Sequence, residues 1–315
     1  MLRRSTVRIL IAALCLGPLR CFIAPAVAVE SVRVMSFNIW VGGQAGRQPL
    51  SQTSKVIHAA QADIVGIQES HGERRHGKRP DAAQAMADTL NWNYFDQGDE
   101  DTGVLSRHKI TGHTPNKWGV RIELPSRRRV WLFNAHFAHA PYQPYQLLKI
   151  PYEDAPFLDT AEQAVDAARA ARHKQVSSML AEIEAVKDEG TPIFITGDFN
   201  EPPCLDWTDT VYRTGRCPAV VSWPTTEAVL KAGFADAYRQ VHPDPLARPG
   251  YTWTPITAED DPDDRHDRID FVLIGGRYGK IEKAEIVGER RPQADIVVDP
   301  YPSDHRGVIV TVTLE

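Results

Sequence analysis

Short runs of β-branched and aromatic residues recur along the whole chain, and they constrain its fold more than any other feature. The clearest are Val32–Ile39, Ile64–Gln68, Val130–Phe137, Ile193–Thr196, Ile269–Ile274 and Val308–Leu314. Such runs are typical of buried β-strands. Helical spacing of apolar residues occurs instead at Ser54–Gln61, at Ala82–Leu90 behind a candidate Asp81 cap, and at Ala161–Lys187. Strands in both halves, with helices between them, predict sheets whose outer faces are covered by helices.

The first 28 residues have the order of a secretory signal peptide. Three arginines precede an apolar run over residues 9–16, and the small residues Ala26 and Ala28 follow, as at a cleavage site. A single membrane anchor is the alternative, but Gly17 and Pro18 interrupt the apolar stretch short of the about 20 residues that a span needs. We therefore predict a signal peptide over residues 1–28, a single domain over residues 29–315, no membrane span, and a secreted or periplasmic protein.

The charge of the mature chain does not identify its substrate. Cleavage after Ala28 would remove four arginines and no acidic residue, so the formal net charge would change from −5 to −9. A negative protein has no general attraction for nucleic acid. A bound metal and a local basic cleft can nevertheless outweigh the overall charge, so a nuclease is not excluded.

Two cysteines, Cys204 and Cys217, remain after residue 28. Export would place them in an oxidising compartment, where such a pair tends to be bridged. We therefore expect one disulfide that closes a surface loop, and the alternative is two free buried thiols.

Polar residues that are costly to bury stand repeatedly at the ends of the predicted strands. They occur in Ser36–Trp40, Gly66–Ser70, Asn134–Phe137, Thr196–Asn200, and the pair Arg268–Phe271 and Ser303–His305. Singly, each has an ordinary explanation as a turn residue, a helix cap or a hydrogen-bonded core histidine. Together, in this order along almost the whole chain, they indicate a common cleft lined by carboxylates, amides and imidazoles.

These segments resemble the endonuclease/exonuclease/phosphatase superfamily, which includes pancreatic deoxyribonuclease, apurinic endonucleases, bacterial sphingomyelinases and inositol polyphosphate 5-phosphatases. The resemblance runs from about Val32 to Thr313. Its most specific pieces are Gly197-Asp198-Phe199-Asn200, Ile67-Gln68-Glu69 and Ser303-Asp304-His305, supported by Arg268–Phe271 and Gly103–Arg107. It implies an α/β (α+β) fold, a four-layer α-β-β-α sandwich with two packed mixed β-sheets.

The resemblance also implies a phosphoesterase that depends on a divalent metal and uses water as its nucleophile. A phosphoester anion repels an incoming hydroxide, so the site needs a cation to neutralise the phosphoryl and leaving oxygens. Oxygen ligands suit Mg²⁺, with Mn²⁺ as the alternative. Glu69 is the expected carboxylate ligand, and Asn38 and Asp304 are expected to complete or orient the hydrated metal shell.

The same resemblance assigns catalytic roles to five residues. Asp198 is expected to orient and deprotonate the attacking water, and Asn200 to hold that water or a phosphoryl oxygen. His305 is expected to donate to a phosphoryl oxygen while Asp270 fixes its tautomer from the other ring nitrogen. His136 is expected to contact the phosphate or protonate the leaving group.

Two positions depart from the apurinic-endonuclease pattern. His136 is more similar to the sphingomyelinase, phosphatase and deoxyribonuclease branches, and Trp40 replaces a metal-site aspartate. Abasic-site repair is therefore disfavoured. In the loop that follows His136, we expect His139 to contact the substrate, while Tyr142 and Tyr145 either line the cleft or pack on the domain.

The basic clusters at residues 74–79 and 127–129 are interpreted as solvated loops, with phosphate-facing patches as the alternative.

Three hypotheses for function then remain. The leading one is hydrolysis of a phosphodiester or phosphomonoester, with nucleic acid, a phospholipid head group or a small phosphoester as substrate and no stable protein partner. The second is a sphingomyelinase-like phospholipid phosphodiesterase, for which no clear membrane-binding apolar patch is visible. The third is a catalytically inactive extracellular binding protein on the same fold.

Overall fold

The computed structural model describes residues 30–74, 76–98, 101–187 and 190–315, so the predicted signal peptide lies outside the described residues. The strands are β1 (Glu30–Asn38), β2 (Ile64–Gln68), β3 (Asn93–Asp96), β4 (Thr102–Ser106), β5 (Lys109–His113), β6 (Gly119–Glu123), β7 (Arg129–His136), β8 (Ile193–Asp198), β9 (Ala235–Asp236), β10 (Asp270–Gly275), β11 (Lys280–Gly288), β12 (Ile296–Val297) and β13 (Gly307–Leu314). The helices are α1 (Trp40–Gly43), α2 (Leu50–Ala59), α3 (Ala82–Leu90), α4 (Gln143–Leu148), α5 (Ala161–Val186), α6 (Asp209–Tyr212), α7 (Pro224–Lys231) and α8 (Ala237–Val241).

The strands form two mixed sheets. The first has the order β12-β11-β13-β1-β2-β4-β3, and the second has the order β5-β6-β7-β8-β10-β9. Parallel pairing joins β1 to β2 and β7 to β8, whereas β1 runs antiparallel to β13, with Glu30 opposite Leu314. The chain builds part of the first sheet, then the whole second sheet, and returns to complete the first.

Successive side chains of a strand point to opposite faces of its sheet, and they contribute to three hydrophobic layers. One layer lies between the two sheets, and the other two lie between each sheet and the helices that cover it. In β1, Val34 packs between the sheets against residues such as Phe194 of the second sheet. Its neighbour Met35 points to the opposite face, where Ile57 of α2 and Met86 of α3 cover the first sheet. Helices α5 and α7 cover the outer face of the second sheet. Residues i and i+1 of a strand face opposite sides, so one strand serves two layers. The predicted four-layer α-β-β-α sandwich is confirmed.

The predicted elements differ from the observed ones mainly at their ends. Both β2 and α3 begin and end where the sequence predicts, and the Asp81 carboxylate caps α3 by accepting from the Gln84 backbone N–H at 2.8 Å. The segment that follows His136 is expected from the sequence to be a loop, but it contains the short helix α4. None of the helices in the described part of the chain has the length and apolar character of a membrane span.

The predicted disulfide is wrong, because Cys204 and Cys217 are both free thiols. Both pack in a hydrophobic cluster in which the rings of Trp207 and Trp223 meet edge to face, with centroids 5.1 Å apart. Burial raises the pKa of both thiols. Aromatic packing, rather than a covalent link, therefore holds this segment against the domain.

Arg268 belongs to one of the segments that resemble the superfamily, but its role in the structure is to form buried ion pairs away from the cleft. It donates from Nε and Nη2 to the two carboxylate oxygens of Asp206 at 3.0 and 3.1 Å, and its Nη1 lies 2.8 Å from Asp236. Arg239 donates from Nε and Nη2 to the same Asp206 carboxylate at 2.6 and 2.8 Å. Burial alone would raise the pKa of Asp206, but the two guanidinium groups hold it below its usual range.

Asp206→Asn is expected to lower the free energy of unfolding by about 3 kcal/mol, because it leaves two buried arginines short of a shared counter-charge. The matched control is Asp209→Asn, whose ion pair with Arg213 is solvated, since the Asp209 side chain is 62% exposed against 12% for Asp206. That control should cost less than about 1 kcal/mol. Urea unfolding at pH 7 measures both variants, and equal losses would contradict the assignment.

The pH dependence of this contribution has a definite sign. The folded pKa of Asp206 lies below its ordinary value. Its stabilisation is therefore present above the unfolded pKa and lost as the pH falls through the folded pKa. Acid titration of stability should consequently flatten in Asp206→Asn relative to the parent protein.

Candidate active site

The register of the second sheet brings three predicted catalytic residues together. His136 at the end of β7 pairs with Asp198 at the end of β8 in the parallel ladder. Asp270 at the start of β10 pairs with the same Asp198 in the antiparallel ladder. Three adjacent strands thus present an imidazole and two carboxylates at one edge of the sheet.

The first sheet supplies the other half of the site. Asn38 pairs with Gln68 across β1 and β2, and Glu69 follows Gln68 with a left-handed φ of 54° that turns the chain out of the strand. The Asn38 side-chain nitrogen donates to Glu69 at 3.1 Å and to Asp198 at 3.0 Å. Asn38 therefore joins the carboxylates of the two sheets.

Behind the site, a buried polar cluster connects the sheets. The Asn134 amide nitrogen donates to the Ile67 carbonyl and to Gln97, both at 2.9 Å, and its oxygen accepts from Gln68 at 2.6 Å. A Cβ at Gly66 would lie 2.4 Å from this Asn134 oxygen, so only glycine permits the sheets to approach here. Asn134 is thus satisfied within the core and takes no direct part in the cleft.

Asp270 and His305 form the predicted pair. His305 Nδ1 lies 2.9 Å from Asp270 Oδ2, and its Nε2 lies 3.7 Å from Asp198 Oδ2. His136 Nε2 is also 3.7 Å from that Asp198 oxygen. Burial by itself would lower the pKa of His305, but Asp270 and Asp198 raise this pKa well above its usual range. The two carboxylates thus favour the protonated imidazole, whose Nε2 lies on the side of Asp198.

Glu69 and Asp304 have oxygen atoms suited to a hard cation. Asn38 and the backbone N–H of Val41 fix the two Glu69 oxygens, the latter at 2.6 Å. Asp304 Oδ1 is buried without a hydrogen-bond partner in the described residues. Burial raises the pKa of Asp304 to about 7, and the negative charge of Glu69 adds to the increase. An unsatisfied buried oxygen beside a second carboxylate fits a divalent cation.

A second group of ligand atoms lies deeper in the site. Oxygen and nitrogen atoms of Asp198, Asp270 and His305 lie within 4.8 Å of one another. His305 Nδ1 is already engaged by Asp270, so this group has the geometry of a proton-transfer and orienting set. The oxygen-only pair of Glu69 and Asp304 is the better match for magnesium.

One cleft of about 740 Å³ collects these side chains. The predicted residues that line it are Glu69, His136, His139, Asp198, Asn200, Asp304 and His305. Asn38 and Asp270 lie behind this lining and contact it through hydrogen bonds. Asn200, at a left-handed φ of 49°, donates its backbone N–H to Asp198 and its side-chain N–H to the Phe137 carbonyl. His139 stands at the rim, 61% exposed, with Nε2 3.5 Å from Glu153.

Aromatic side chains form much of the cleft wall, and sequence reasoning anticipated them only in part. Tyr142 and Tyr145 line the cleft, which was one of the two alternatives for them, and Trp40, Tyr152 and Trp253 line it as well. Tyr152 lies in the loop after α4, where no strand-end pattern marks it. The Trp253 ring packs on His305 with centroids 4.9 Å apart.

The two basic clusters have different positions. Arg79 reaches the cleft wall and donates to Asp101 at 2.6 Å, so part of the cluster at residues 74–79 is not a simple solvated loop. The cluster at residues 127–129 spans the turn before β7 and the first residue of that strand, at the end opposite His136.

Sequence comparison identifies the family. A model of the Endonuclease/Exonuclease/phosphatase family matches residues 35–305, which include every predicted catalytic and metal-site residue. The chain belongs to this family. The predicted family is thereby confirmed, and the members of this family are hydrolases that act on phosphoesters. An uncharacterized protein of Caenorhabditis elegans is 26% identical over 306 residues, covering 90% of this chain and 92% of that protein.

Solved structures of the Endonuclease/Exonuclease/phosphatase family share the fold. An endonuclease/exonuclease/phosphatase from Beutenbergia cavernae is 19% identical, with a TM-score of 0.56, covering 90% of this chain and 72% of that one. An AP endonuclease from Archaeoglobus fulgidus is 14% identical, with a TM-score of 0.53, covering 89% and 98%. TDP2 of D. rerio, complexed with a single strand DNA product, is 17% identical, with a TM-score of 0.52, covering 90% and 99%.

Proposed function

We propose that this chain is an exported, divalent-metal-dependent phosphoesterase that hydrolyses phosphodiester or phosphomonoester bonds with water. The observation that carries the proposal is the position of Asp198. Its Oδ2 lies 3.7 Å from an imidazole nitrogen of both His136 and His305, and Asn38 connects it to Glu69. A base, two proton donors and hard cation ligands thus meet in one cleft, which is the set that phosphoester hydrolysis needs.

Glu69 and Asp304 would hold the cation, magnesium or alternatively manganese, with Asn38 orienting Glu69. When bound, the cation would neutralise charge on the phosphoryl and leaving oxygens. Asp198 is fixed at both oxygens, by Asn38 and by the Asn200 backbone N–H at 2.9 Å. Its carboxylate is thereby positioned to take a proton from a water.

In the proposed hydrolysis step, each bond and each proton that changes has a partner in the cleft. The water oxygen forms a bond to phosphorus while its proton passes to Asp198, and the ester P–O bond breaks. His305 donates to a phosphoryl oxygen through Nε2, since Asp270 occupies its Nδ1. His136 supplies a proton to the departing oxygen, and Asn200 would hold the attacking water or a phosphoryl oxygen.

The substrate is to be chosen by assay among nucleic acid, a phospholipid head group and small phosphoesters. The single strand DNA product bound by D. rerio TDP2 supports including nucleic acid. The purified chain is expected to hydrolyse at least one of single-stranded DNA, RNA, sphingomyelin, inositol phosphates or a chromogenic phosphodiester. EDTA should abolish this turnover and magnesium restore it. Turnover that is unaffected by EDTA would contradict the metal dependence, and binding without turnover would favour the inactive binding protein.

Export is proposed on the order of residues 1–28 alone. Expression of the full chain in a bacterial host should give an exported product. Its intact mass should match a chain that begins at Val29. A cytoplasmic product that retains residues 1–28 would contradict the proposal.

A further inference from the structure

Three tyrosines form one wall of the catalytic cleft. The ring of Tyr145 stands nearly perpendicular to those of Tyr142 and Tyr152, with interplanar angles of 87° and 84° and centroids 5.0 and 5.7 Å away. Two of the three hydroxyls are used within the fold, because Tyr142 donates to Asp267 at 3.0 Å and Tyr145 donates to Asp264. The row of rings therefore gives Tyr152 a fixed support.

The Tyr152 hydroxyl differs from the other two. Within the part of the chain that the structure describes, it makes no side-chain or backbone hydrogen bond, although the half-buried side chain lines the cleft with Asp198 and His305. Burial raises the pKa of its phenol, and the carboxylates of Glu153, Asp198, Glu69 and Asp304 raise it further. The hydroxyl thus keeps its proton and lies within the electrostatic reach of the carboxylates around the cation site.

The loop that carries Tyr152 is held in place. The Ile150 N–H donates to the Tyr145 carbonyl at 2.9 Å, and the Leu158 N–H donates to the Gln146 carbonyl at 3.1 Å. The Gln146 side chain donates to the Pro156 carbonyl at 2.6 Å. These bonds attach both ends of the loop to α4. A donor fixed before substrate arrives loses little reorganisation energy when it is used, which makes it effective against developing charge.

We propose that the Tyr152 hydroxyl donates a hydrogen bond to a non-bridging phosphoryl oxygen of the substrate, and that Tyr152 is a further catalytic residue. The proposal rests on the proposed function. A phosphoryl group bound at the Glu69–Asp304 pair and Asp198 would occupy the cleft that Tyr152 also lines. Of the three phenols in the row, that of Tyr152 is the one not already bonded. Tyr152 belongs to the loop between α4 and α5, not to a strand end, so its contribution is separate from those of His136 and His305.

Tyr152→Phe removes the donor and keeps the ring that packs on Tyr145. We expect kcat to fall at least about ten-fold, as for loss of one donor to a charged transition state. The loss should be similar for p-nitrophenyl and methyl phosphodiesters, because both carry the same non-bridging oxygens. The control is Tyr212→Phe, the same chemical change at a 48% exposed tyrosine outside the cleft, which should leave kcat and KM unchanged.

Binding of inorganic phosphate in the presence of magnesium, measured by calorimetry, provides a test without turnover. Tyr152→Phe should weaken Kd about ten-fold, or about 1.4 kcal/mol, with an unchanged melting temperature. Wild-type Kd and kcat in Tyr152→Phe would overturn the role of Tyr152 while leaving the proposed function intact. A loss confined to the methyl ester would also overturn it, because it would place the hydroxyl on the leaving oxygen. Failure of the proposed function would appear instead as a wild-type protein without turnover, and the phosphate titration would still decide whether Tyr152 binds a phosphoryl group.

Discussion

Asp270→Asn is expected to lower kcat on the order of 10²-fold or more, within the range for mistuning a general acid–base group. The amide keeps much of the shape of the 2.9 Å contact with His305 Nδ1 but removes the negative charge that supports a protonated imidazole. His305→Ala should cost at least as much. Because the two residues act as one unit, the double variant should be little worse than His305→Ala alone. Turnover is measured for the three variants at saturating magnesium, with melting temperature as the folding control.

The pH profile separates orientation by Asp270 from a merely structural contact. The raised pKa of His305 keeps the imidazole protonated below that value, and the proton is lost as the pH rises through it. Activity of the parent protein should therefore fall on the alkaline side. Asp270→Asn should move this fall to lower pH, because the charge that raises the pKa is gone. Fully multiplicative losses with an unshifted profile would place the proton chemistry at Asp198 and His136 instead.

Glu69→Gln is expected to leave a folded protein that has lost most of its metal-dependent turnover, on the order of 10³-fold, as for removal of a main electrostatic contribution. The amide is nearly the same size and can still contact Asn38, but it is no longer an anionic ligand. Metal affinity by calorimetry should weaken together with kcat. A variant with parental rate and metal affinity would remove Glu69 from the metal site.

Glu73→Gln is the matched control, because Glu73 is an exposed carboxylate four residues along the chain that does not line the cleft. It should retain the turnover and the metal affinity of the parent protein. Equal losses in both variants would indicate a general effect of charge on this edge of the domain rather than coordination by Glu69.

The site could be predicted from the sequence because its polar and charged residues lie at the ends of buried strands. A run such as Ile193–Thr196 marks a buried strand, and a buried strand that ends in Asp198 needs a reason for its charge. Family resemblance then supplied the pairing of Asp270 with His305, which the structure shows at hydrogen-bond distance. The register that brings Asp270 beside Asp198 is a long-range property, so no local pattern contains it.

Features that depend on packing were missed or wrong. The free thiols of Cys204 and Cys217 show that a pair of cysteines in the sequence does not decide a disulfide, because two cysteines can share a cluster without a bond. Tyr152 lies in an irregular loop, and its place in the cleft depends on how Tyr145 packs. Arg79 belongs to a basic run that looks solvated, and its contact with Asp101 is visible only in three dimensions.

The pairing of β1 with β13 has a consequence for when activity can arise during synthesis. Asn38 ends β1, whereas Asp304 and His305 directly precede β13, the antiparallel neighbour of β1. A ribosome-bound chain that has not yet released residues 304–314 therefore has an open sheet edge at β1, and it lacks Asp304 and the His305 imidazole that lies beside Asp198. Such a chain can collapse around its second sheet, but it cannot assemble the cleft. Hydrolytic activity should thus appear in a single late step, after translation has passed β13, and a nascent chain stalled before that point should be inert.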